Sequence, residues 1–413
     1  MGGKLGINGL GRIGKLVLWR HVAARDFDEI VVNAGRAVGT SLNDIAYYIG
    51  RDSTYGSLRK YLYGFKDQPA IANVDDGSGT MIINGVKITV LRKSRNPKDI
   101  GWRDYGVEIV VDSSGAFVDP TTPPDDPKGA LAGHFEAGAK KVILSAPFKI
   151  KDKSKPMPDD AVTVVMGINE HDYNPARHKF ISAASCTTTC LAHMFKPLIN
   201  TIGPKKILTA SMATVHAATG TQEVLDRLAK AKDKDLRKNR SIFNNIILTT
   251  TGAADTLALV IPEMSQIGFI AESVRIPTTT GSLVILVVNI QEEPDRILVD
   301  RDYINSIYKD AAEKSPHRLV VYSEEQNVSS DIISMPLAAV IIEGHETHTR
   351  TAEITFDAGR LVGVKKEVLD GLKDNMVRIP LTQAVIYGWY DNEMGSYVNA
   401  LSMLTKMAAE DFS

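Results

Sequence analysis

A chain of 413 residues with 44% hydrophobic and 23% charged side chains is long enough for two domains with full cores. Its 48 Lys and Arg against 49 Asp and Glu leave almost no net charge, which argues against nucleic acid or a membrane surface and for a small-molecule partner. Two cysteines four residues apart exclude a disulfide scaffold, and with no run of eighteen apolar residues and no secretory pattern the expectation is a soluble cytoplasmic protein.

The first predicted element is a strand, Lys4 to Asn8, followed by Gly9-Leu10-Gly11-Arg12-Ile13-Gly14 and a helical stretch from Lys15 to Val22. Glycines at this spacing between a strand and a helix permit a tight turn, close backbone approach to a pyrophosphate and close helix packing. The helix N-terminus meets the phosphate charge. Gly9, Gly11, Arg12, Ile13 and Gly14 are therefore candidate dinucleotide contacts. The second strand, Glu29 to Asn33, ends where an acidic residue would hold the adenosine ribose of NAD, and none is present. Asn33 is followed by Ala34-Gly35-Arg36, so no carboxylate repels a 2′-phosphate. Arg36 is either a partner for that phosphate or a solvated loop residue. Strands at Gly106 to Asp112 and Lys141 to Ser145 run into small-residue turns. Ser114 and Ser145 thus lie at the carboxyl ends of apolar strands, the edge where a doubly wound sheet binds its ligand. Asp119 to Pro127 is a loop by composition.

In Ser185-Cys186-Thr187-Thr188-Thr189-Cys190 an apolar approach gives way to helical spacing, which places Cys186 in a first helical turn, where the terminus favours a thiolate. Against this stand an inert buried thiol and a metal site from Cys186, Cys190 and His193 on one helical face, which lacks a nearby fourth ligand. Cys190 alone reads as core. His216 ends an apolar run and opens a hydroxyl-rich turn, either as a general base facing a cleft or as a satisfied strand-end residue. Leu225 to Arg240 is a basic run that composition favours as a solvated loop. Val274-Arg275-Ile276 sets a guanidinium among apolar neighbours, where it needs an anion from the protein or a ligand. His345-Glu346-Thr347-His348 has the wrong spacing for zinc and suggests a hairpin. A strand from Ala384 to Tyr390 leads to Asp391-Asn392-Glu393-Met394-Gly395 and a helix from about Ser396.

Taken in order, these pieces make the chain resemble the phosphorylating glyceraldehyde-3-phosphate dehydrogenase family over nearly its whole length. The matching stretches are Gly6 to Gly14, Asp52-Ser53-Thr54-Tyr55-Gly56, Ser145-Ala146-Pro147, Ser185-Cys186-Thr187-Thr188, Thr251-Gly252-Ala253-Ala254, Val274 to Thr278 and Trp389 to Glu393. The resemblance implies an α/β protein, with a Rossmann-like NAD(P)-binding domain over residues 1–185 and an α/β (α+β) catalytic domain with a large mixed sheet over 186–385. A C-terminal helix, 396–413, would pack back on the first domain. It further implies Cys186 as nucleophile and His216 as base, with Ser185, Thr187, Thr219, Thr221, Thr251, Gly252 and Arg275 forming two phosphate pockets. Asn392 would hold the nicotinamide carboxamide, and Arg95, in Lys93-Ser94-Arg95-Asn96-Pro97, would reach a 2′-phosphate. A loop including Asp235 to Arg240 would span the cofactor toward a neighbouring subunit of a homotetramer. The chain departs from the family pattern at Thr189, at Met394, in a longer basic loop and in an enlarged segment near 334–380. The implied reaction oxidises glyceraldehyde 3-phosphate with inorganic phosphate and NAD or NADP. Erythrose 4-phosphate as substrate, or a catalytically silent nucleotide-binding regulator, are the alternatives.

Overall fold

The computed structural model describes residues 3–92, 94–231, 233–293, 298–333, 335, 337–360, 363, 365–371 and 375–412. Lys93 and Lys232 lie outside the described residues, as do parts of the 334–380 segment.

The N-terminal part comprises β1 (Lys4–Asn8), α1 (Arg12–Ala24), β2 (Glu29–Asn33), α2 (Leu42–Ile49), the short pair β3 (Arg51–Asp52) and β4 (Gly56–Ser57), and α3 (Leu58–Tyr63). Next come β5 (Ile71–Asp75), β6 (Thr80–Ile83), β7 (Val86–Leu91), β8 (Ile109–Asp112), α4 (Gly133–Glu136), β9 (Lys141–Leu144), β10 (Ala161–Thr163) and β11 (Phe180–Ser182). Nine of these strands form one sheet in the order β10-β11-β9-β8-β1-β2-β7-β6-β5, parallel as far as β7 and antiparallel beyond it. Leu5, Ile7, Ile30, Val31, Val110 and Val111 are fully buried, as parallel strands covered on both faces require. Strand order reverses about β1, with β2 on one side and β8 on the other, so the carboxyl ends of these three strands frame a ligand crevice. The β5 to β7 meander has no counterpart in the sequence reading, because β5 is half exposed and lacks a clear alternation.

The second part begins with α5 (Cys186–Ile202) and continues through β12 (Ile207–Ala217), β13 (Ile247–Thr249), α6 (Ala253–Val260), β14 (Gly268–Ile276) and β15 (Ser282–Gln291). It ends with α7 (Arg301–Lys314), β16 (Val320–Ser323), β17 (Val340–Glu343), β18 (His348–Asp357), α8 (Lys366–Asp370), β19 (Met376–Tyr390) and α9 (Asn399–Ala409). Its mixed sheet runs β13-β14-β12-β15-β19-β17-β16, with β18 also on β19. Alternate residues of β15 are buried, and α5 covers that face with Leu191, Met194, Phe195 and Leu198.

β19 is longer than the expected Ala384 to Tyr390. Among the described residues its first residues pair only with β18, from Met376↔Asp357 to Pro380↔Glu353, whereas β15 joins at Gln291↔Leu381. The enlarged segment therefore contains a two-stranded ribbon that leaves the sheet, with Ile354 and Met376 exposed. The chain then makes one wide helical turn at Met394–Val398 before α9, so the predicted helix is divided. Leu401, Leu404 and Ala408 share a core with Leu16, Val17 and Trp19 of α1. Among the described residues no helix is long and apolar enough to cross a membrane.

Candidate active site

α5 starts abruptly. Ala184 takes a left-handed conformation, φ 55°, and Ser185 caps the helix by accepting the Thr188 N–H at 3.1 Å. A non-glycine residue in that region stores backbone strain, and here it turns the chain so that Cys186 becomes the first helical residue. Its Sγ lies 3.4 Å from Nε2 of His216, near the end of β12. On β14, the strand next to β12, Arg275 pairs in register with His216. His216 Nδ1 is 2.7 Å from the Ala217 carbonyl and 2.5 Å from Arg275 Nη1, which itself donates to the same carbonyl at 3.1 Å. The Ala217 carbonyl can only accept, so with the imidazole proton on Nδ1 both Nδ1–H and Arg275 Nη1 donate to it, and Arg275, which can only donate, then makes no hydrogen bond to Nδ1. That tautomer leaves the Nε2 lone pair facing the thiol.

Burial pushes the Cys186 thiol above its ordinary value, opposed by the Arg275 charge and by hydrogen bonds from Thr187. Burial, and then Arg275, hold the His216 imidazole down at about 4. Desolvation thus works against the thiolate expected at the helix start. Beneath the pair, Tyr390 OH bridges the hydroxyls of Thr187 at 3.0 Å and Thr214 at 2.8 Å. Cys190 is fully buried with Sγ against the Gly388 carbonyl, and His193 Nδ1 binds the Thr189 carbonyl, so neither side chain joins Cys186.

The hydroxyl-rich turns gather at one end of β12, β13 and β14. Thr219 contacts Thr221 and Gln222, Ala218 N–H donates to the Thr278 carbonyl, and Ile247 pairs with Arg275 just before Thr251 and Gly252 open α6. Ser185 and Thr187 spend their hydroxyls on the cap and on Tyr390. Among the described residues Arg275 Nε is buried with no protein partner.

At the other crevice the turn suits a pyrophosphate. Gly9 has φ +96°, a Cβ on Gly14 would stand 1.9 Å from the Gly9 carbonyl oxygen, and a Cβ on Gly11 would meet nothing within 4 Å. α1 has no side-chain cap and no acidic residue in its first turn, so its leading N–H groups are open to an anion. Ile13 packs against the core of the first sheet. Arg12 does not extend its side chain into this space, because Asp52 and Glu393 take its guanidinium. Asp52 also binds Lys15 at 2.8 Å, and Tyr55 OH donates to Asp391 at 2.6 Å. The Asp52 to Gly56 and Asp391 to Glu393 motifs are therefore one brace between the two sheets, which residue spacing could not reveal. Asn392 accepts from Thr280 and Ser282 through Oδ1, leaving its amide donors without a protein partner among the described residues. Asn33 is engaged internally, donating to Asn8 and Ser94 and accepting from Gly35. Ser114 binds Asp112, and Ser145 N–H donates to the Asp112 carbonyl. Arg36 and Arg95 are exposed and make no ion pair among the described residues.

Residues 3–120 match the NAD binding domain of glyceraldehyde 3-phosphate dehydrogenase, and residues 185–356 match its C-terminal domain. Glyceraldehyde-3-phosphate dehydrogenase 2 of Bacillus subtilis (strain 168) is 34% identical over 406 residues, covering 98% of this chain and 97% of that protein. The chain belongs to the glyceraldehyde 3-phosphate dehydrogenase family. The glyceraldehyde-3-phosphate dehydrogenases of Geobacillus stearothermophilus, 35% identical over 95% of this chain and 94% of that protein, and of Streptomyces coelicolor, 36% identical over 97% of each, agree. Within this family pattern the departures are absorbed by packing. Met394 is buried in the core of the first sheet with its N–H on Tyr55 OH, and Thr189 Oγ1 donates back to the Ser185 carbonyl.

Proposed function

We propose that the chain oxidises glyceraldehyde 3-phosphate with inorganic phosphate and NAD or NADP to 1,3-bisphosphoglycerate. The observation that carries this is Cys186 Sγ at 3.4 Å from a His216 Nε2 whose opposite nitrogen is tied to the Ala217 carbonyl. His216 takes the thiol proton as sulfur attacks the aldehyde, returns it to the oxygen, and removes it again as the thiohemiacetal becomes a thioester. The nicotinamide, when bound, supplies the hydride acceptor. Inorganic phosphate then attacks the thioester and Cys186 leaves as thiolate. Arg275, with its unpartnered Nε, binds phosphate together with Ser185, Thr187, Thr219, Thr221, Thr251 and Gly252. The Gly9 to Gly14 backbone holds the pyrophosphate, Ser114 and Ser145 line the crevice, and the Asn392 amide donates to the carboxamide. Residues 1–185 and 186–385 are the cofactor and catalytic domains of a cytoplasmic homotetramer. Supporting the assembly, Leu225, Leu228, Leu236, Phe243 and Ile246 are exposed on one loop.

The test is cofactor reduction followed by absorbance, with glyceraldehyde 3-phosphate and phosphate and, separately, erythrose 4-phosphate. No reduction of either cofactor with glyceraldehyde 3-phosphate sinks the reading. NADP is accepted alongside or in preference to NAD, because no carboxylate follows Asn33 and the exposed Arg36 and Arg95 flank the turn. A charge-assisted contact of about 1.5–3 kcal/mol corresponds to roughly tenfold or more in preference. Ala34→Asp is expected to cut catalytic efficiency with NADP far more than with NAD. An unchanged ratio of the two efficiencies would refute the argument from the missing carboxylate.

A further inference from the structure

We propose that His134, with Asp112 and Trp102, is a positioning device that sets the adenosine end of the dinucleotide site without touching the ligand. The proposal rests on the dinucleotide use argued above. His134, Asp112 and Trp102 are all fully buried, His134 on α4 and Asp112 at the end of β8. Trp102 Nε1–H donates to His134 Nδ1 at 2.9 Å. An indole nitrogen can only donate, so Nδ1 is the acceptor and the imidazole proton sits on Nε2, from which it is donated to Asp112 Oδ2 at 2.9 Å. Asp112 also accepts from Asn8 Nδ2 at 2.9 Å, from Ser114 N–H at 2.9 Å and from Ser114 Oγ at 2.6 Å. Among the described residues no lysine or arginine pairs with this carboxylate, so hydrogen bonds alone stabilise its buried charge.

An acceptor-only carboxylate dictates the orientation of every amide beyond it. Asn8 must turn its NH2 to Asp112, which leaves its carbonyl oxygen to accept from Asn33 Nδ2 at 2.9 Å. Asn33 must then present its own oxygen to the Gly35 N–H, at 3.2 Å, and its second N–H to the Ser94 carbonyl, at 2.9 Å. The relay from Trp102 therefore ends on the two turns that carry Arg36 and Arg95, while the Ser114 branch ends at the β8 lip of the same crevice. Without the charge on Asp112 both amides lose their reason to point one way, and the Asn33 to Gly35 turn loses its fixed shape. The connection joins the carboxyl ends of β1, β2 and β8, the three strands about which the sheet order reverses.

The test is equilibrium binding of NAD, NADP and AMP to the whole protein, read by intrinsic fluorescence with no aldehyde present, beside steady-state kinetics. His134→Leu, which removes the donor to Asp112, is expected to weaken AMP and NAD binding about tenfold or more, with kcat at saturating cofactor within about twofold. His134→Gln places an amide donor near the lost Nε2–H and should recover most of the affinity. If His134→Leu does not fold, Asp112→Asn reads the same link, since it keeps the volume and turns an acceptor into a donor facing Asn8 or Ser114. Affinities within about twofold of the parent in a folded variant, or a fall in kcat with unchanged affinity, would overturn the proposal. A parent that binds NAD but reduces none would overturn the proposed reaction and leave this inference standing.

Discussion

Two cysteines one helical turn apart differ because α5 begins at the first and buries the second. Cys186 keeps partial exposure and faces His216, whereas Cys190 is fully covered. Cys186→Ser is expected to abolish turnover and Cys190→Ala to retain most of it, and iodoacetamide should modify Cys186 first in step with lost activity. Equal labelling of both thiols would contradict the assignment. His216→Asn is expected to lower turnover roughly 10²- to 10⁴-fold, the worth of a positioned acid-base group. The same residue makes stability depend on pH. Its folded value, about 4, lies below the ordinary 6.5, so the unfolded chain binds a proton there that the folded protein refuses. Stability on this account is full above pH 6.5 and is lost as pH falls toward 4, by up to about 1.4 kcal/mol per unit. The difference in urea midpoint between pH 7 and pH 5 should therefore shrink in His216→Asn. An equal difference in parent and variant would mean His216 is not held neutral by burial.

At the scale of elements, the β1–α1 connection separates folding from binding. Gly14 allows the helix to sit against the turn, since a Cβ there would overlap the Gly9 carbonyl and meet Ser113 Oγ at 2.6 Å. Gly11 has φ −76° as the residue before α1 and nothing near a would-be Cβ. Gly14→Ala is thus expected to destabilise the fold by about 1–3 kcal/mol in chemical denaturation, as overpacking does. Gly11→Ala should melt like the parent yet lose NAD affinity, because only the approaching pyrophosphate would meet the added methyl. If Gly11→Ala binds NAD as the parent does, the pyrophosphate does not lie on this turn.

Over the whole molecule the C-terminal stretch after β19 is tied to the first part by polar and apolar connections. Arg12 joins Asp52 to Glu393, Tyr55 joins Asp391, Lys141 binds Asp411 and Tyr173, and α9 lies on α1. Asn392 stands between Asp391 and Glu393, so this brace also holds the amide proposed for the nicotinamide. The exposed leucines and aromatics of residues 224–246 are not explained within one chain. Sedimentation equilibrium is expected to give four times the 45.0 kDa chain mass. The double variant Leu228→Asp, Ile246→Asp should lower that mass, and an unchanged mass would place the interface elsewhere.

Much of the cofactor half was readable in order, because a parallel strand is a short continuous apolar run and the glycine turn after β1 has a local steric cause. Lys4 to Asn8 and Glu29 to Asn33 form strands with those bounds, and Cys186 opens its helix as the spacing predicted. Local signals also singled out His216 and Arg275, though His216 reads more often as a satisfied strand-end residue and Arg275 could find its anion within the protein. Only the tertiary structure brings them together, by pairing β12 with β14 and setting α5 against both, so that residues 30 and 89 positions from Cys186 reach its sulfur's surroundings. What opposes a thiolate at Cys186 left no mark in the sequence for the same reason. A helix terminus is local, whereas desolvation depends on everything packed around the group. The Trp102, His134, Asp112, Asn8 and Asn33 relay left no sequence signal, since a hydrogen-bond chain across five elements has neither spacing nor period until the sheet brings its members together.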